Sequence, residues 1–339
     1  MQLQTAIGNL FNIPYWLESG NLLYNIVGLI LYIIIVSVTF SVFSYVVGWL
    51  ERKIIARAQY RHGPTYVGMW GILQNLADLI KLLAKEDVIP ENADRVIFAA
   101  SLPLLLMLSI FIILILPYSP TMQGTDMGFG LLIAFTIISF LPALLFLAGF
   151  SSGNKFAGIS AQRSILMLIS YELPMLLVIA GIAMLSGSYN LAGIVASQGS
   201  SHYFAILMPI GFAVFFITML AEFERPPFDL READSELIAG WLTDVSAPYY
   251  ALSLFLDYSR MFLGSVIIAL LFFGGWLGPA AVPPMLWLIA KAFVIAIAVI
   301  IIRATTFRMR IDRVLRLGWS WLIPLSLINL IITYIVFLR

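Results

Sequence analysis

The chain has 339 residues, 61% of them apolar and only 11% charged, with a net charge of +1 and no cysteine. Soluble domains carry about 25% charged residues, so this composition belongs to an integral membrane protein, and the near-neutral charge offers nothing to a nucleic acid. Without thiolates the chain supplies neither an iron–sulfur cluster nor a cysteine zinc site; its two histidines, His62 and His202, fall in loops assigned below to opposite sides, which excludes bis-histidine haem.

In chain order, LQTAIGNLFNIPYWLE places Leu3, Ile7, Leu10 and Phe11 at helical spacing and predicts a short helix in the membrane interface, a frayed terminus being the alternative. The next run, Ser19 to Leu50, is 32 residues without a charge and too long for the core of a signal peptide. The continuous Leu/Ile/Phe runs lack the alternation of barrel strands, so the crossings are helical. Eight spans are expected, near 22–48, 97–118, 128–150, 164–185, 203–221, 243–273, 284–303 and 319–338, in an all-α integral membrane protein with added amphipathic interfacial helices. No internal repeat or low-complexity linker divides residues 1–339, which predicts a single membrane domain. The sixth run is too long for an upright span unless it tilts or continues past the bilayer.

Basic residues fix the orientation. Seven lie in 49–95, two in 151–163, two in 222–240 and five in 303–318, all in loops after odd-numbered spans. These loops are assigned to the inner side and both termini to the outer side. In the first inner loop, Ile72, Leu73, Leu76, Leu79, Ile80 and Leu83 share one helical face, and Gly63–Pro64 breaks the preceding segment WLERKIIARAQYRH, which predicts amphipathic helices lying on lipid or docking a partner. The outer segments YSPTMQGTDMG, SGSYNLAGIVASQGSSH and GGWLGPAAVPP have the composition of connectors.

The third inner loop is the unusual one. AEFERPPFDLREADSELIAG holds six carboxylates between Glu222 and Glu236, a third of the acid in the chain. Pro226–Pro227 is expected to end the fifth span, and Asp229 with Glu232 to cap a new short helix on which Glu232 and Glu236 share a face. Crowded, partly buried acids hold and exchange protons near neutral pH, which makes a proton relay; acids paired with Arg225 and Arg231 on a solvated loop are the alternative. Glu172 lies inside the fourth span just before Pro174, whose position implies a kink, and an acid within the membrane is a functional candidate by default. Asp257 and Arg260 in the sixth span neutralise each other on one reading, and Lys291 in the seventh either snorkels outward or pairs with a carboxylate. The run Arg303, Arg308, Arg310, Arg313, Arg316 is a positive-inside anchor or a docking face for an acidic partner. No P-loop, dinucleotide fingerprint, HExxH or nucleophile elbow occurs, which disfavours a self-contained hydrolase or NTPase.

Three stretches, Glu51–Pro90 (ERKIIARAQYRHGPTYVGMWGILQNLADLIKLLAKEDVIP), AEFERPPFDLREADSELIAG, and Arg303–Asn329 (RATTFRMRIDRVLRLGWSWLIPLSLIN), together resemble the NuoH subunit family of respiratory complex I. The resemblance implies an eight-helix subunit with no metal, haem or flavin of its own, at the junction of the membrane arm with the electron-transfer arm. It implies a quinone-like acceptor bound at the interface with iron–sulfur and quinone-site subunits, and neighbouring small membrane and antiporter-like subunits. By motif match Arg52, Arg61, Phe228 and Arg303 lie around the quinone cavity and Arg225 orients the central loop. Glu172, Glu222, Asp229, Glu232, Asp234, Glu236, Asp244 and Asp257 fall where the family places the acids of its proton path. The setting implied is the inner membrane of a bacterium or archaeon, with a thylakoid or mitochondrial inner membrane as alternative.

Three departures stand out: Arg231 replaces a residue more often Pro or uncharged, TDVSAPYYAL replaces a segment that commonly reads TEYSG, and Phe307 occupies a usual Pro position. They leave the acceptor open among menaquinone, ubiquinone, plastoquinone and methanophenazine. The expected function is quinone-linked proton translocation. The alternatives are the equivalent subunit of a membrane-bound hydrogenase or ferredoxin-driven complex, and an independent secondary transporter.

Overall fold

The apolar runs are helical throughout a computed structural model, which describes residues 22–120, 122, 128–200, 202–231, 234–279 and 282–337. The interfacial helix expected over residues 3–16 lies outside the described residues. The helices in order are α1 (Leu22–Ala58), α2 (Gln74–Leu83), α3 (Arg95–Ile115), α4 (Gly130–Ser151), α5 (Lys155–Ser186), α6 (Leu191–Ser200), α7 (Phe204–Leu207), α8 (Pro209–Glu222), α9 (Asp234–Leu237), α10 (Ala247–Phe272), α11 (Pro284–Thr305), α12 (Ile311–Leu317) and α13 (Ile323–Phe337). A wider-wound turn, Gly318–Leu322, joins α12 to α13. Among the described residues there is no strand. α10 is the hub of the bundle: every residue from Ser259 to Phe272 is buried.

Among the described residues seven helical segments are long and apolar enough to cross a membrane, α12 and α13 counting as one, and the expected fifth span is not among them. It is broken at Met208 (φ −129°, ψ 64°) into α7 and α8, because Pro209 disfavours helix in its predecessor. The 14 residues of α8 cover about 21 Å at ~1.5 Å per residue, short of a ~30 Å hydrocarbon core. A break at membrane depth must satisfy its backbone within the protein, and here the Gly211 N–H donates to Asn329 Oδ1 on α13 at 3.0 Å.

Other boundaries also differ from expectation. α1 continues to Ala58, so ERKIIARA is the inner end of the first span and not a separate amphipathic helix, and the helix stops before Gly63–Pro64. α2 is the amphipathic helix of that loop, with Leu76, Ile80 and Leu83 exposed. The outer connector 186–202 contains α6, started by Asn190, whose side chain accepts from the Ala192 N–H at 2.9 Å. The buried Gln198 of α6 donates to the Leu270 carbonyl at 2.9 Å and accepts from the Gly274 N–H at 2.9 Å, fastening α6 to the end of α10. α5 runs through Pro174 without interruption. The carbonyl that Pro174 leaves without a donor, that of Ser170, lies against Gly318, where any side chain would overlap it.

The segments assigned to one side do gather at one end of the bundle. Met309 N–H donates to the Pro227 carbonyl (2.9 Å), Asp94 N–H to that of Ser151 (2.9 Å) and Ser160 Oγ to that of Arg231 (2.6 Å), linking all four inner loops. At the other end Lys291 takes neither expected route. Its ammonium donates to the carbonyls of Phe273, Gly275 and Leu277 at 2.6–2.8 Å, satisfying the cap acceptor of α10 and two acceptors of the turn that follows. Lys291→Met therefore removes about 2 kcal/mol of charge-assisted bonding, seen as a lower melting midpoint of the detergent-solubilised protein. An unchanged midpoint would mean that the three bonds contribute nothing net.

Candidate functional site: a buried ion-pair network beside an apolar cavity

The central loop is folded into the inner end of the bundle, not laid on its surface. α8 ends at Glu222, ahead of the prolines, and Glu224 turns the chain with a left-handed backbone (φ 51°) into Pro226–Pro227. Phe228 and Leu230 then bury their side chains in the core. Further on, the Arg231 carbonyl accepts from Ser160 Oγ on α5, which in turn accepts from the Trp241 N–H at 3.1 Å. Gly240 (φ 58°) packs directly on that carbonyl, and both its backbone angle and the contact exclude a side chain.

This placement overturns the capping expectation for Asp229. Leu230 and Arg231, which follow it, are not helical, and the Asp229 carboxylate instead accepts from Arg308 Nη2 at 3.1 Å, a cation from the segment after α11. A charged partner from another loop satisfies the carboxylate in place of the amides of a helix turn. Glu232 and the side chain of Asp234 lie outside the described residues. Glu236 is on the surface, paired with Arg163 of α5 at 2.6 Å.

Two charge clusters lie beneath the loop. In the first, Glu51 of α1, 2% exposed, binds both Arg225 Nη1 (3.2 Å) and Arg303 Nη1. In the second, Glu224 Oε2 accepts from Arg260 Nη1 (2.6 Å) and is ion-paired on the same oxygen with Arg231 Nη1. Asp257 stands 3.6 Å from Arg231 Nη2 and 4.0 Å from Arg260 Nη2, so its in-helix neighbour is its weaker partner. The alternative expectation of loop acids paired with Arg225 and Arg231 is met in part: Arg231 pairs with Glu224, whereas Arg225 reaches across to Glu51. Glu222, 3% exposed, has no ion pair among the described residues, and neither oxygen is in full hydrogen-bond geometry with any side chain. The Tyr171 hydroxyl of α5 is its nearest hydrogen-bonding group, and Arg260 of α10, Glu224 and Glu172 act on it electrostatically.

Beside these clusters α1, α2 and α10 enclose a mainly apolar cavity of about 290 Å³, at the small end of ligand sites. Leu79, Leu82, Leu254, Phe255 and Tyr258 line it, with Arg52, Asn75 and Asp78 as its charged and amide groups. Arg52 Nη1 holds Asp78 at 2.6 Å. Burial works against the Asp78 charge, but the Arg52 and Gln74 hydrogen bonds and the Arg52 and Lys81 charges outweigh it and hold the carboxyl below its usual range. Ser44 Oγ and Asn75 Oδ1, both on the lining, are buried without a hydrogen-bond partner. Unpaired donors and acceptors on an apolar wall suit a ligand with a polar head and a greasy body.

Of the expected quinone residues, Arg52 alone lines this cavity. Arg225 reaches it through Tyr258, over whose ring its guanidinium stands at 5.5 Å. Arg303 is held on Glu51, Phe228 is in the core, and Arg61 is exposed, bonded to Gln59 at 2.8 Å. Of the expected acids, the fold brings Glu222, Asp229 and Asp257 to the central loop. Glu172 is half-buried on α5, and Asp244 is half-buried with its Oδ2 unpartnered. Sequence reasoning passed over Glu51, Glu224, Arg260 as a partner of Glu224, and Tyr258. Glu51 carried the one available signal, an acid at the very end of an uncharged run of 32 residues.

The fold and these clusters define a multi-pass all-α membrane protein with a buried ionisable network at one end of its helix bundle. Residues 30–334 match the family described as NADH dehydrogenase. The chain is 41% identical over 84% of its length to the H subunit of the NADH-quinone oxidoreductase of Dehalococcoides mccartyi strain CBDB1, covering 80% of that protein. It is 38% identical, again over 84%, to the corresponding NADH-quinone oxidoreductase protein of Carboxydothermus hydrogenoformans (82% covered) and to the H subunit of the F(420)H(2) dehydrogenase of Methanosarcina acetivorans (86% covered). The chain belongs to this NADH dehydrogenase family, as its three stretches implied.

Proposed function

We propose that the chain is the membrane subunit of a proton-pumping, complex I-like oxidoreductase, forming the membrane side of its quinone chamber and coupling quinone reduction to proton movement. The observation that carries this reading is a shared wall. Tyr258 and Arg52 line the apolar cavity, while Arg225 stands over Tyr258 and Glu51 precedes Arg52 on α1, so cavity and ion network meet at the same residues. The names of the relatives support it: two are NADH-quinone oxidoreductase subunits and one belongs to an F(420)H(2) dehydrogenase. On this reading partner subunits choose the electron donor and supply the iron–sulfur centres, and the range of the relatives' names supports it. The membrane is the inner membrane of a prokaryote.

Reducing a quinone to a quinol takes two electrons from the partner's cluster and two protons. The chain's own groups would orient the head: Ser44 donates to a carbonyl oxygen, Asn75 Oδ1 accepts from a quinol hydroxyl, and the leucines and Phe255 enclose the body. Charge appearing there acts through Arg225 and Glu51 on the central loop, because attraction is strong where water is scarce. Glu222, Asp229, Asp257, Glu172 and Asp244, with Glu232, Asp234 and Glu236, then form the proton path.

Ser44→Leu fills the cavity with an apolar side chain. In the purified complex it is expected to raise KM for a short-chain quinone roughly tenfold, about 1.4 kcal/mol, with reduction of a water-soluble artificial acceptor at the partner's centres unaffected. An unchanged KM would place the quinone elsewhere.

A further inference from the structure

Arg231 stood out in the sequence only as an extra cation in an acidic loop. In the fold it is 2% exposed and held on every side. Its carbonyl is bonded to Ser160 and packed by Gly240, its guanidinium lies 4.8 Å over the Trp241 ring, and its two terminal nitrogens face Glu224 and Asp257. One residue thus ties the central loop to α5, to the turn at Gly240 and to α10.

Among the described side chains ion-paired in this cluster the charges balance. Glu224 and Asp257 contribute two negative charges, and Arg231 and Arg260 two positive ones. Arg260 also acts electrostatically on Glu222, so without Arg231 a single cation would be divided among three acids. Glu224 adopts its left-handed backbone despite carrying a side chain, a conformation that persists only when surrounding contacts impose it. Both arginines grip that one carboxylate.

We propose that Arg231 is a positioning residue: with Glu224 it clamps the central loop to α10 and, together with Arg260, neutralises Glu224 and Asp257, leaving Glu222 as the buried carboxyl of this group without a counter-ion of its own. Glu222 is then the acid whose proton occupancy the rest of the site controls. This inference rests on the proton-path reading above and adds the residue that selects its free acid.

The test uses the assembled complex carrying Arg231→Gln, Glu224→Gln, or both. Each single variant leaves the cluster one charge out of balance, while the double variant leaves Arg260 against Asp257 and restores neutrality. Removing one member of a buried pair is far more disruptive than removing both. Each single variant is expected to lower the melting midpoint by roughly 5 °C or more and to reduce protons pumped per electron roughly twofold or more, and the double variant to recover both. A double variant no better than Arg231→Gln alone overturns the proposal, since a residue acting only through its carbonyl and its ring contact would not be rescued by a change at Glu224. If the wild-type complex does not pump, the functional reading fails, and the melting midpoints still decide the clamp.

Discussion

Glu51→Gln is expected to abolish quinone reduction, lowering turnover at least ~100-fold or preventing assembly of the complex. Among the described residues Glu51 is the acid ion-paired with both Arg225 and Arg303, and removing one partner of a buried charge pair costs about 3–5 kcal/mol. Arg303 has 29% of its side chain exposed and recovers some hydration, so the larger share of the penalty falls on Arg225, which is more enclosed. Releasing Arg225 also disturbs Tyr258 and with it the cavity wall. Glu51→Asp keeps the charge on a shorter arm and should retain partial activity. Native gels separate loss of assembly from loss of turnover; an assembled Glu51→Gln complex at wild-type rate would show that the two arginines are balanced by other groups.

Glu222→Gln should dissociate pumping from electron transfer. The amide preserves shape, so quinone-dependent turnover is expected to stay within about twofold, while protons moved per electron roughly halve or worse. A buried carboxyl with no counter-ion of its own takes its protonation from the surrounding charges and not from water, which is the property a coupling site needs and which an amide lacks. The measurement is acidification of proteoliposomes against quinone consumption in the same preparation. A wild-type ratio would remove Glu222 from the path and leave Glu172, Asp257 and Asp244 to carry it.

Much of this molecule was legible in one dimension. Hydropathy located seven of the eight expected crossings among the described residues, because a bilayer leaves helices as the form for such continuous apolar runs, and the basic residues grouped the loops that gather at one end of the bundle. The density of acid between Glu222 and Glu236 marked the loop that folds into the ion-pair network, because buried carboxylates must be paired or neutralised. Partnership was another matter. Glu51 and Arg225 are 174 positions apart, Asp229 and Arg308 79, and ion pairing follows distance in space, of which sequence separation is no measure. Short-range rules failed at those same places: Asp229 was drawn from a cap to a distant arginine, Arg260 from Asp257 to Glu224, and Lys291 to the open carbonyls at the end of α10. The sequence by itself determined most of the long helices and the position of the acidic loop between them, since these depend on local composition against a fixed bilayer thickness. Only the tertiary structure decided which acids are neutralised and which is left alone, since that depends on which cation each one meets.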